Sequence, residues 1–367
     1  MIDVSIVVPV YNPRERLSLA LESAFEQSAG GLKVEVIAVN DCSSDDSAAV
    51  LAATQSRDAR LSIINFRENK GAGPARNAGL DVAKGRYVAF LDPDDVYPAG
   101  ALQKLVEAAE SSGLALIRGN ILEFDAKGIG HPRDSNSNMA GAFSFADTPM
   151  LWAPWMHQQF LFRRDFLQQH AIRYPALRRG QDTVMLARAL ARCDSVYLVE
   201  DVIYHYSIGV KSMQWGAPQF DNILDHFIMV RDAYLSNGHN IPWMNYLNAY
   251  WNFWRHLQNG AAHNFSDTQL KAFLEKSATF FVEVDSIFFE LGTHKLFRLD
   301  PWRLLIYQLL RRKKFDLLLI LLKSNIRLDE LLKPFDMSIW IGLLDQIASA
   351  NQQIARRVFT SAPQQEL

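Results

Sequence analysis

The chain has 367 residues, enough for two domains, and its 49% hydrophobic and 21% charged content is that of an ordinary globular protein. Its formal net charge of −2 gives no electrostatic reason to expect a nucleic-acid partner. Two cysteines cannot form a disulfide framework, and their spacing does not suit a metal site. The first residues lack the basic segment of a signal peptide, and no apolar run is long enough to span a bilayer. We therefore expect a cytoplasmic protein.

The first part of the chain alternates short apolar strands with segments of helical periodicity. Strands are predicted at residues 3–10, 34–39, 61–65 and 87–91, and helices at 14–28, 48–54, 71–84 and 102–111. This alternation predicts an α/β fold with a Rossmann-like, doubly wound and mostly parallel sheet that carries helices on both faces.

The pattern loosens after a further predicted strand at residues 114–120. It predicts a hairpin and loop over 121–138, a helix over 182–193, and short strands over 195–199 and 202–207. From about residue 216, aromatic residues and leucines at helical spacing dominate. We therefore expect an α/β domain at residues 1–215 and a mainly helical domain at residues 216–367.

The segment RYVAFLDPDD, residues 86–95, is an apolar strand that ends in three carboxylates. Side chains of an extended chain alternate between faces, so Asp92 and Asp94 point the same way. Pro93 cannot donate to a sheet ladder, which predicts the end of the strand. Ligands of open α/β sheets bind at such ends, and two carboxylates there suit Mg²⁺ or Mn²⁺ beside a diphosphate. The alternative is a solvated turn.

Two polar positions follow the first two strands. Tyr11 can lie against a flat base, and the alternative is a turn tyrosine that covers the end of the sheet. Asp41 can accept a hydrogen bond from a pyrimidine N3–H, which favours uracil or thymine because cytosine lacks that proton. The alternative is that Asp41, Ser43 and Ser44 cap the next helix.

A glycine-rich segment from Gly71 to Gly79 opens the third helix, where free N–H groups can face an anion. Arg76 lies one turn into this helix and can neutralise a phosphate. The alternative is ordinary helix packing, with Arg76 tied to the carboxylates after the fourth strand. The Gly-Lys-Ser/Thr of a Walker loop is absent from this segment.

Four segments occur in order along the chain: VPVYN at residues 8–12, VNDCSSD at 39–45, GAGPARNAG at 71–79 and FLDPDD at 90–95. Together they resemble the family 2 glycosyltransferases over roughly residues 1–212. The resemblance implies a GT-A fold and transfer of a sugar from a nucleotide donor, with inversion at the anomeric carbon. It implies donor contacts from Pro9, Tyr11, Asn12, Asp41, Arg76 and Asp92. It makes Asp94 the direct ligand of Mn²⁺ or Mg²⁺, with Asp92 reaching the metal or the donor ribose, and lets Asp95 orient Arg76 or a ligand water.

The resemblance also implies a general base at the start of a helix, usually within Glu-Asp. The segment RRGQDTVM, residues 178–185, fits this place. Asp182 is then the base that takes the proton of the acceptor hydroxyl, and the alternative is an N-cap of the following helix. Gln181 replaces the usual glutamate and can hydrogen-bond an acceptor hydroxyl without a charge.

The segment WAPWMHQQFLFRRD, residues 152–165, resembles a family segment of the form Trp-x-Lys-Leu-Phe-Arg-Arg in the region where acceptors bind. Trp152 and Trp155 are expected against the acceptor sugar, with core packing as the alternative. His157 stands near the usual lysine and has no assigned role.

The segment IYHYSIGVKS, residues 203–212, resembles the Tyr-x-Tyr-Arg segment of the family. His205 is a candidate for an additional metal ligand, and the alternative is a structural histidine on a strand. Ser207 replaces the frequent arginine, so a pyrophosphate contact is missing from that position. Lys211 can substitute for the arginine, and Ser212 can bind phosphate.

A basic cluster with apolar flanks lies in the helical half, at residues 304–323. It suits an interfacial element that docks on anionic lipid and reaches a lipid-linked acceptor. The alternatives are two core helices joined by the basic residues, or a homo-oligomer interface.

These observations predict a metal-dependent inverting glycosyltransferase that uses a nucleotide sugar with a UDP bias. Its acceptor would be a glycan or lipid-linked hydroxyl in polysaccharide or lipopolysaccharide biosynthesis, in the cytoplasm or at the inner face of the membrane. One alternative is a nucleotidyltransferase, which attacks with a substrate phosphate and has no need of Asp182. The other is a non-catalytic glycan-binding or assembly subunit that retains the fold.

Overall fold

The computed structural model describes residues 1–125, 128–132, 138–144, 148, 151, 154, 156–208, 217–239, 266–290, 313 and 315–316. The chain divides into two compact units, Met1–Tyr250 and Trp251–Leu367. The helix that follows the predicted domain boundary lies in the first unit, and the boundary between residues 215 and 216 stays a prediction. Helix α8, Asp267–Glu290, lies in the second unit.

The described part of the first unit contains a mixed sheet of nine strands. The strands are β1 (Val4–Val10), β2 (Val34–Asn40), β3 (Leu61–Asn65), β4 (Tyr87–Phe90), β5 (Leu116–Phe124), β6 (Gly130–Pro132), β7 (Gly141–Ser144), β8 (Phe160–Arg163) and β9 (Ser195–Ser207). The helices are α1 (Leu17–Glu26), α2 (Ser47–Arg57), α3 (Ala72–Val82), α4 (Ala101–Ser112), α5 (Arg164–Gln169), α6 (Gln181–Leu190) and α7 (Ala217–Leu235). Short 3₁₀ turns lie at Arg14–Arg16 and His157–Gln159.

The sheet runs in the order β3-β2-β1-β4-β8-β5-β9-β7, and β6 pairs with β5. The first four strands are parallel, as the strand and helix alternation predicts. Strand β8 is antiparallel to both β4 and β5, whereas β5 and β9 are parallel. Because the chain moves outward from β1 to β3 and returns to β4 on the other side, the carboxyl ends of β1 and β4 flank a topological switch point.

Strand β1 is buried along its whole length because helices cover both of its faces. On one face, Val4, Ile6 and Val8 pack in an apolar cluster with residues of α1 and α4. On the other face, Gly79 of α3 approaches so closely that a Cβ at this position would overlap Val7 Cγ1. A strand buried on both sides reads as a continuous apolar run, which is why its position could be predicted.

Two parts of the sheet differ from the sequence expectation. Strand β8 lies in a segment that was expected to contact the acceptor, and its Leu161 and Phe162 are fully buried in the sheet. The two short strands predicted at 195–199 and 202–207 form the single strand β9. Asn120 Nδ2 donates to the Glu200 carbonyl at 2.8 Å, and register shifts beside Asn120 absorb the irregularity between the two halves.

Within the described residues, none of the helices combines the length and apolar character needed to cross a bilayer. Of the basic segment at residues 304–323, the structure describes residues 313, 315 and 316 alone. The lipid-surface, core and homo-oligomer interpretations of that segment therefore stay predictions.

Candidate active site

A compact acidic cluster follows β4, at the edge of the sheet where the parallel strands end. Asp92, Asp94 and Asp95 are buried, and one carboxylate oxygen from each lies within 4.8 Å of the others. Carboxylates so close together repel one another unless hydrogen bonds or a cation compensate their charge. The oxygen-only donor set fits a hard divalent cation such as Mg²⁺ or Mn²⁺.

Asp92 is held by partners from two other parts of the chain. Arg76 Nη2 donates to its Oδ1 at 2.5 Å, and Gln158 Nε2 donates to its Oδ2 at 2.9 Å. The guanidinium of Arg76 is buried, and its Nε and Nη1 atoms have no hydrogen-bond partner among the described residues. The structure thus contains the contact with a carboxylate that was one of the two interpretations of Arg76. Two nitrogens of the guanidinium have no acceptor within the described part of the chain.

The charge of Arg76 is maintained by the acids around it. Burial by itself lowers the pKa of this guanidinium, but Asp92, Tyr174 and Asp182 raise the pKa above its ordinary value. The guanidinium also lies over the Tyr174 ring, 5.4 Å from its centroid. One buried cation therefore interacts both with the metal-site candidate and with the candidate base.

Asp95 connects the acidic cluster to β9. Tyr204 Oη donates to Asp95 Oδ2 at 2.9 Å, and the Ser207 N–H donates to Asp95 Oδ1 at 2.8 Å. Arg16 Nη1 reaches the same place and donates to Ser207 Oγ at 2.6 Å and to the Asp94 carbonyl at 3.3 Å. The position where Ser207 replaces an arginine thus receives a guanidinium from a distant turn, which the sequence pattern did not indicate.

Asp41, at the end of β2, is buried, and its carboxylate accepts three hydrogen bonds. Its Oδ1 accepts from the Lys70 N–H at 2.7 Å, and its Oδ2 accepts from the Gly71 N–H at 2.7 Å and from Asn69 Nδ2 at 3.0 Å. These bonds bind the end of β2 to the loop that starts α3, rather than to the helix after β2. A carboxylate has about four lone-pair positions, so Oδ1 can still accept one further hydrogen bond.

The residues after β1 border the same edge. Tyr11 is 52% exposed, an unusual surface position for a large aromatic side chain. Asn12 Oδ1 accepts from the Ser44 N–H at 2.8 Å, which ties the loops after β1 and β2 together. Pro9 lies beyond Val7, the last residue of β1 paired with β4, so its missing N–H leaves the ladder intact.

Asp182 enters the site from α6, of which it is the second residue. The N-cap of α6 is Gly180, and no side chain caps this helix, so Asp182 is not its N-cap. The Asp182 side chain is 35% exposed and can reach a solvent-borne molecule. Gln181 packs beside the start of α3, where a Cβ on Gly73 would lie 3.3 Å from its Cγ, and its buried Oε1 has no hydrogen-bond partner in the described part of the chain.

The remaining predicted site residues have different outcomes. His205 exchanges backbone hydrogen bonds with Val96 at 3.0 and 3.3 Å, and burial lowers the pKa of its imidazole, which favours the neutral form that binds metals. In the described structure the acidic cluster contains the three aspartates and not His205, so its ligand role stays a prediction. Trp152, Trp155 and Ser212 lie outside the described residues.

His157 is a site residue that sequence reasoning did not identify. Its ring is fully buried, 5.4 Å from the Phe90 ring and 5.5 Å from the Tyr174 ring. Its Nδ1 lies 4.0 Å from Asp182 Oδ2. Its neighbour Gln158 donates to Asp92, so this turn contacts both groups of carboxylates. The only signal in the sequence was its position near a family lysine.

Helix α7 supports the segment that carries Asp182. Asn222 Oδ1 accepts from the Arg178 N–H at 2.7 Å. Gly180 has a φ of +75°, and a Cβ there would lie 2.5 Å from His226 Cγ. The start of α6 is therefore fixed by close contact with a helix from beyond residue 216.

We expect Gly180→Ala to destabilise the protein more than Gly113→Ala does. Both glycines have a positive φ, +75° and +69°, where alanine costs about 1–2 kcal/mol. A Cβ on Gly113 meets nothing within 4 Å, whereas a Cβ on Gly180 overlaps His226, and such overpacking adds about 1–3 kcal/mol. Urea denaturation of the two variants measures the difference. Equal losses in the free energy of unfolding would show that α7 does not constrain the start of α6.

Comparisons with known proteins bear on the family and the fold of this chain. Residues 5–179 match the family described as glycosyl transferase family 2. The succinoglycan biosynthesis protein ExoO of Rhizobium meliloti is 34% identical over 227 residues, which make up 56% of this chain and 62% of that protein. The poly(ribitol-phosphate) beta-glucosyltransferase of Bacillus spizizenii is 25% identical over 207 residues, 56% of this chain and 32% of that protein. The chain thus spans less than two thirds of the length of these relatives.

Solved structures with the same fold include S. aureus TarS in complex with UDP-GlcNAc. It superposes with a TM-score of 0.64 at 18% identity and covers 86% of this chain and 89% of that chain. A TarS complex with UDP superposes equally well. This likeness confirms the predicted GT-A fold. The family match covers residues 5–179, just under half of the chain, and includes the acidic cluster, so this part of the chain is similar to glycosyl transferase family 2.

Proposed function

We propose that this protein is a metal-dependent, inverting glycosyltransferase that moves a sugar from a UDP-sugar to a hydroxyl of a glycan or lipid-linked acceptor. The observation that carries the proposal is the presence of two separate acidic groups in one compact unit, whose residues 5–179 match glycosyl transferase family 2. Asp92, Asp94 and Asp95 form a buried cluster that suits a cation, and Asp182 stands apart on α6, partly exposed. Separate carboxylates suit separate tasks, one at the leaving group and one at the nucleophile.

The donor side has features that suit a uracil nucleotide. The exposed ring of Tyr11 offers a flat apolar face for the base, and the Asp41 carboxylate can accept one more hydrogen bond, as from a uracil N3–H. The UDP and UDP-GlcNAc complexes of TarS support the same nucleotide for this chain. We also propose that Pro9 and Asn12, at the end of β1, contact the donor and that Ser212 binds a donor phosphate.

The metal-site residues fit Mn²⁺ or Mg²⁺. We assign Asp94 as the direct ligand and Asp92 as a second contact to the metal or the donor ribose, with His205 as a further ligand. The cation supplies charge stabilisation for the departing nucleoside diphosphate. Arg76 holds Asp92 in place, and its unpartnered Nε and Nη1 can contribute donors toward a phosphate oxygen.

On the acceptor side, Asp182 acts as the general base. As the acceptor oxygen bonds to the anomeric carbon, the bond from that carbon to the diphosphate oxygen breaks, and the hydroxyl proton passes to the Asp182 carboxylate. A general base of this kind contributes roughly 10²- to 10⁴-fold to the rate. Gln181 can hydrogen-bond a second acceptor hydroxyl, and Trp152 and Trp155 keep their predicted contact with the sugar ring.

The acceptor class comes from the relatives. Their names refer to succinoglycan biosynthesis and to glucosylation of poly(ribitol-phosphate). We therefore propose a cell-surface polysaccharide or a teichoic-acid-like polymer as the acceptor, with lipopolysaccharide as a further member of this class. We also propose that the protein acts in the cytoplasm or at the inner face of the membrane, because nucleotide sugars are supplied there.

Replacing the proposed general base, Asp182, should abolish most sugar transfer without affecting UDP binding. We expect Asp182→Asn to keep UDP binding in calorimetry and to lower sugar transfer by about 10²- to 10⁴-fold, because the amide cannot accept the proton. The assay offers UDP-glucose, UDP-galactose and UDP-N-acetylglucosamine to pooled oligosaccharide and polyol-phosphate acceptors and measures UDP release and product mass. The matched control is Asp165→Asn, an aspartate in the first turn of α5 that faces Arg163.

The control variant should transfer sugar at the wild-type rate. If Asp182→Asn also transfers at that rate, the base assignment is wrong and a nucleotidyl transfer, which needs no such base, becomes the better account. If the wild type binds UDP but moves no sugar, the protein is a binding subunit.

Nucleotide binding should depend on Mn²⁺ and on whether the nucleobase is uracil. We expect UDP to raise the melting temperature only with Mn²⁺, more than CDP or GDP does, and Asp94→Ala to abolish the shift. A ligand at 100 times its Kd stabilises the native state by roughly 2.7 kcal/mol, which moves the midpoint by a few degrees. An equal UDP shift with EDTA in place of Mn²⁺ would contradict the metal assignment.

A further inference from the structure

The 3₁₀ turn His157–Gln159 lies between the two groups of carboxylates in the site. Gln158 Nε2 donates to Asp92 Oδ2 at 2.9 Å, and His157 Nδ1 faces Asp182 Oδ2 at 4.0 Å. The turn is compact, with the Gln159 N–H donating to the Met156 carbonyl at 3.1 Å. One short segment, unassigned by the sequence patterns, therefore contacts the metal-site candidate on one side and the base candidate on the other.

The imidazole of His157 is packed between two aromatic rings. Phe90 and Tyr174 pack against it on two sides, so the ring has little freedom to turn. Neither ring nitrogen has a hydrogen-bond partner among the described residues, although the ring is fully buried. Buried polar nitrogens without partners are rare and costly, so such a ring calls for an explanation.

The surroundings keep this imidazole neutral. Burial lowers the pKa of His157 well below its ordinary value of 6.5, and the positive charge of Arg76 lowers it further. A neutral imidazole carries one N–H donor and one bare nitrogen. Since the Asp182 carboxylate only accepts hydrogen bonds, the nitrogen that faces it interacts favourably when it carries the proton.

We propose that His157 is a positioning residue for Asp182: its Nδ1–H donates to Asp182 Oδ2 when the acceptor is bound and directs Oδ1 toward the acceptor hydroxyl. The inference rests on the proposed function. A distance of 4.0 Å is too long for a hydrogen bond, but catalytic hydrogen bonds are often long without substrate and tighten in the complex. The His157 ring is held by Phe90 and Tyr174, so a hydrogen bond from it would fix the orientation of the more exposed Asp182 carboxylate. Residues that hydrogen-bond to catalytic or metal-binding side chains commonly orient them in this way.

The kinetic test compares two replacements of His157. His157→Phe keeps an aromatic ring between Phe90 and Tyr174 and removes the donor, whereas His157→Asn retains an amide donor close to the place of Nδ1. We expect His157→Phe to lower kcat by about 10- to 100-fold while the donor KM and the Kd of UDP stay unchanged. His157→Asn should recover a large part of kcat. The control is His170→Phe, at the C-cap of α5, which should leave kcat unchanged.

Two kinetic results would overturn the inference. One is a His157→Phe enzyme with wild-type kcat. The other is equal loss of kcat in the Phe and Asn variants, because a role in packing alone would not distinguish a donor from a ring. UDP binding by each variant checks that the site is folded.

A spectroscopic test addresses His157 independently of turnover. Long-range ¹H–¹⁵N NMR of the full-length protein at pH 7.5, with the His157 signals identified by their loss in His157→Phe, reports which ring nitrogen is protonated. We expect a neutral ring with its proton on Nδ1. A proton on Nε2 alone, or a charged ring, would overturn the inference. Absence of sugar transfer by the wild type would instead count against the proposed function, so the two failures are distinguishable.

Discussion

The buried ion pair between Arg76 and Asp92 is the interaction on which the geometry of the site depends. Arg76 comes from α3 and Asp92 from the end of β4, and both are almost completely buried. A buried charge that loses its partner typically destabilises a protein by about 3–5 kcal/mol, so each of the two groups requires the other. The same guanidinium is also influenced by Tyr174 and Asp182, and it lowers the pKa of His157. One cation thus interacts both with the acidic cluster after β4 and with Asp182.

The hydrogen bonds around this pair join the two halves of the sheet. Asp41 binds the loop that starts α3, and Asn12 binds the loop after β2, so the loops that follow β1 and β2 are fixed at the same edge of the sheet. Asp95 receives donors from Tyr204 and Ser207 on β9, which brings the later part of the chain to the acidic cluster. The site is therefore assembled from both halves, and neither the parallel strands nor the mixed part of the sheet forms it alone.

The sequence predicts the first half of the fold well because β1 and β2 are buried almost throughout and so form continuous apolar runs. Strand β3 has its predicted bounds, and β1 and β2 differ from prediction by one residue each. The second half was harder to predict. Strand β8 has only four residues, and its partners β4 and β5 are distant in the sequence, so no local periodicity indicates it.

The candidate site likewise contains some residues that the sequence predicts and others that it does not. The aspartates after β4 were predicted from residue type and position at a strand end, whereas Asp182 was predicted from the resemblance to the family, and their roles stay predictions. Gln158 and Asp92 are 66 residues apart, and Arg16 reaches Ser207 across 191 residues, so only the fold brings these pairs together. His157 has no motif of its own, and its proximity to Asp182 follows from the turn before β8.

The role of this edge of the sheet as a donor site is tested most directly by a crystal structure of the protein with UDP and Mn²⁺, with data collected at the manganese absorption edge. We expect an anomalous peak bonded to an Asp94 oxygen and to the diphosphate, with uracil against Tyr11 and its N3–H donating to Asp41. A manganese peak away from the acidic cluster, or a uracil bound elsewhere on the protein, would contradict the assignment of this site as the donor site of a glycosyltransferase.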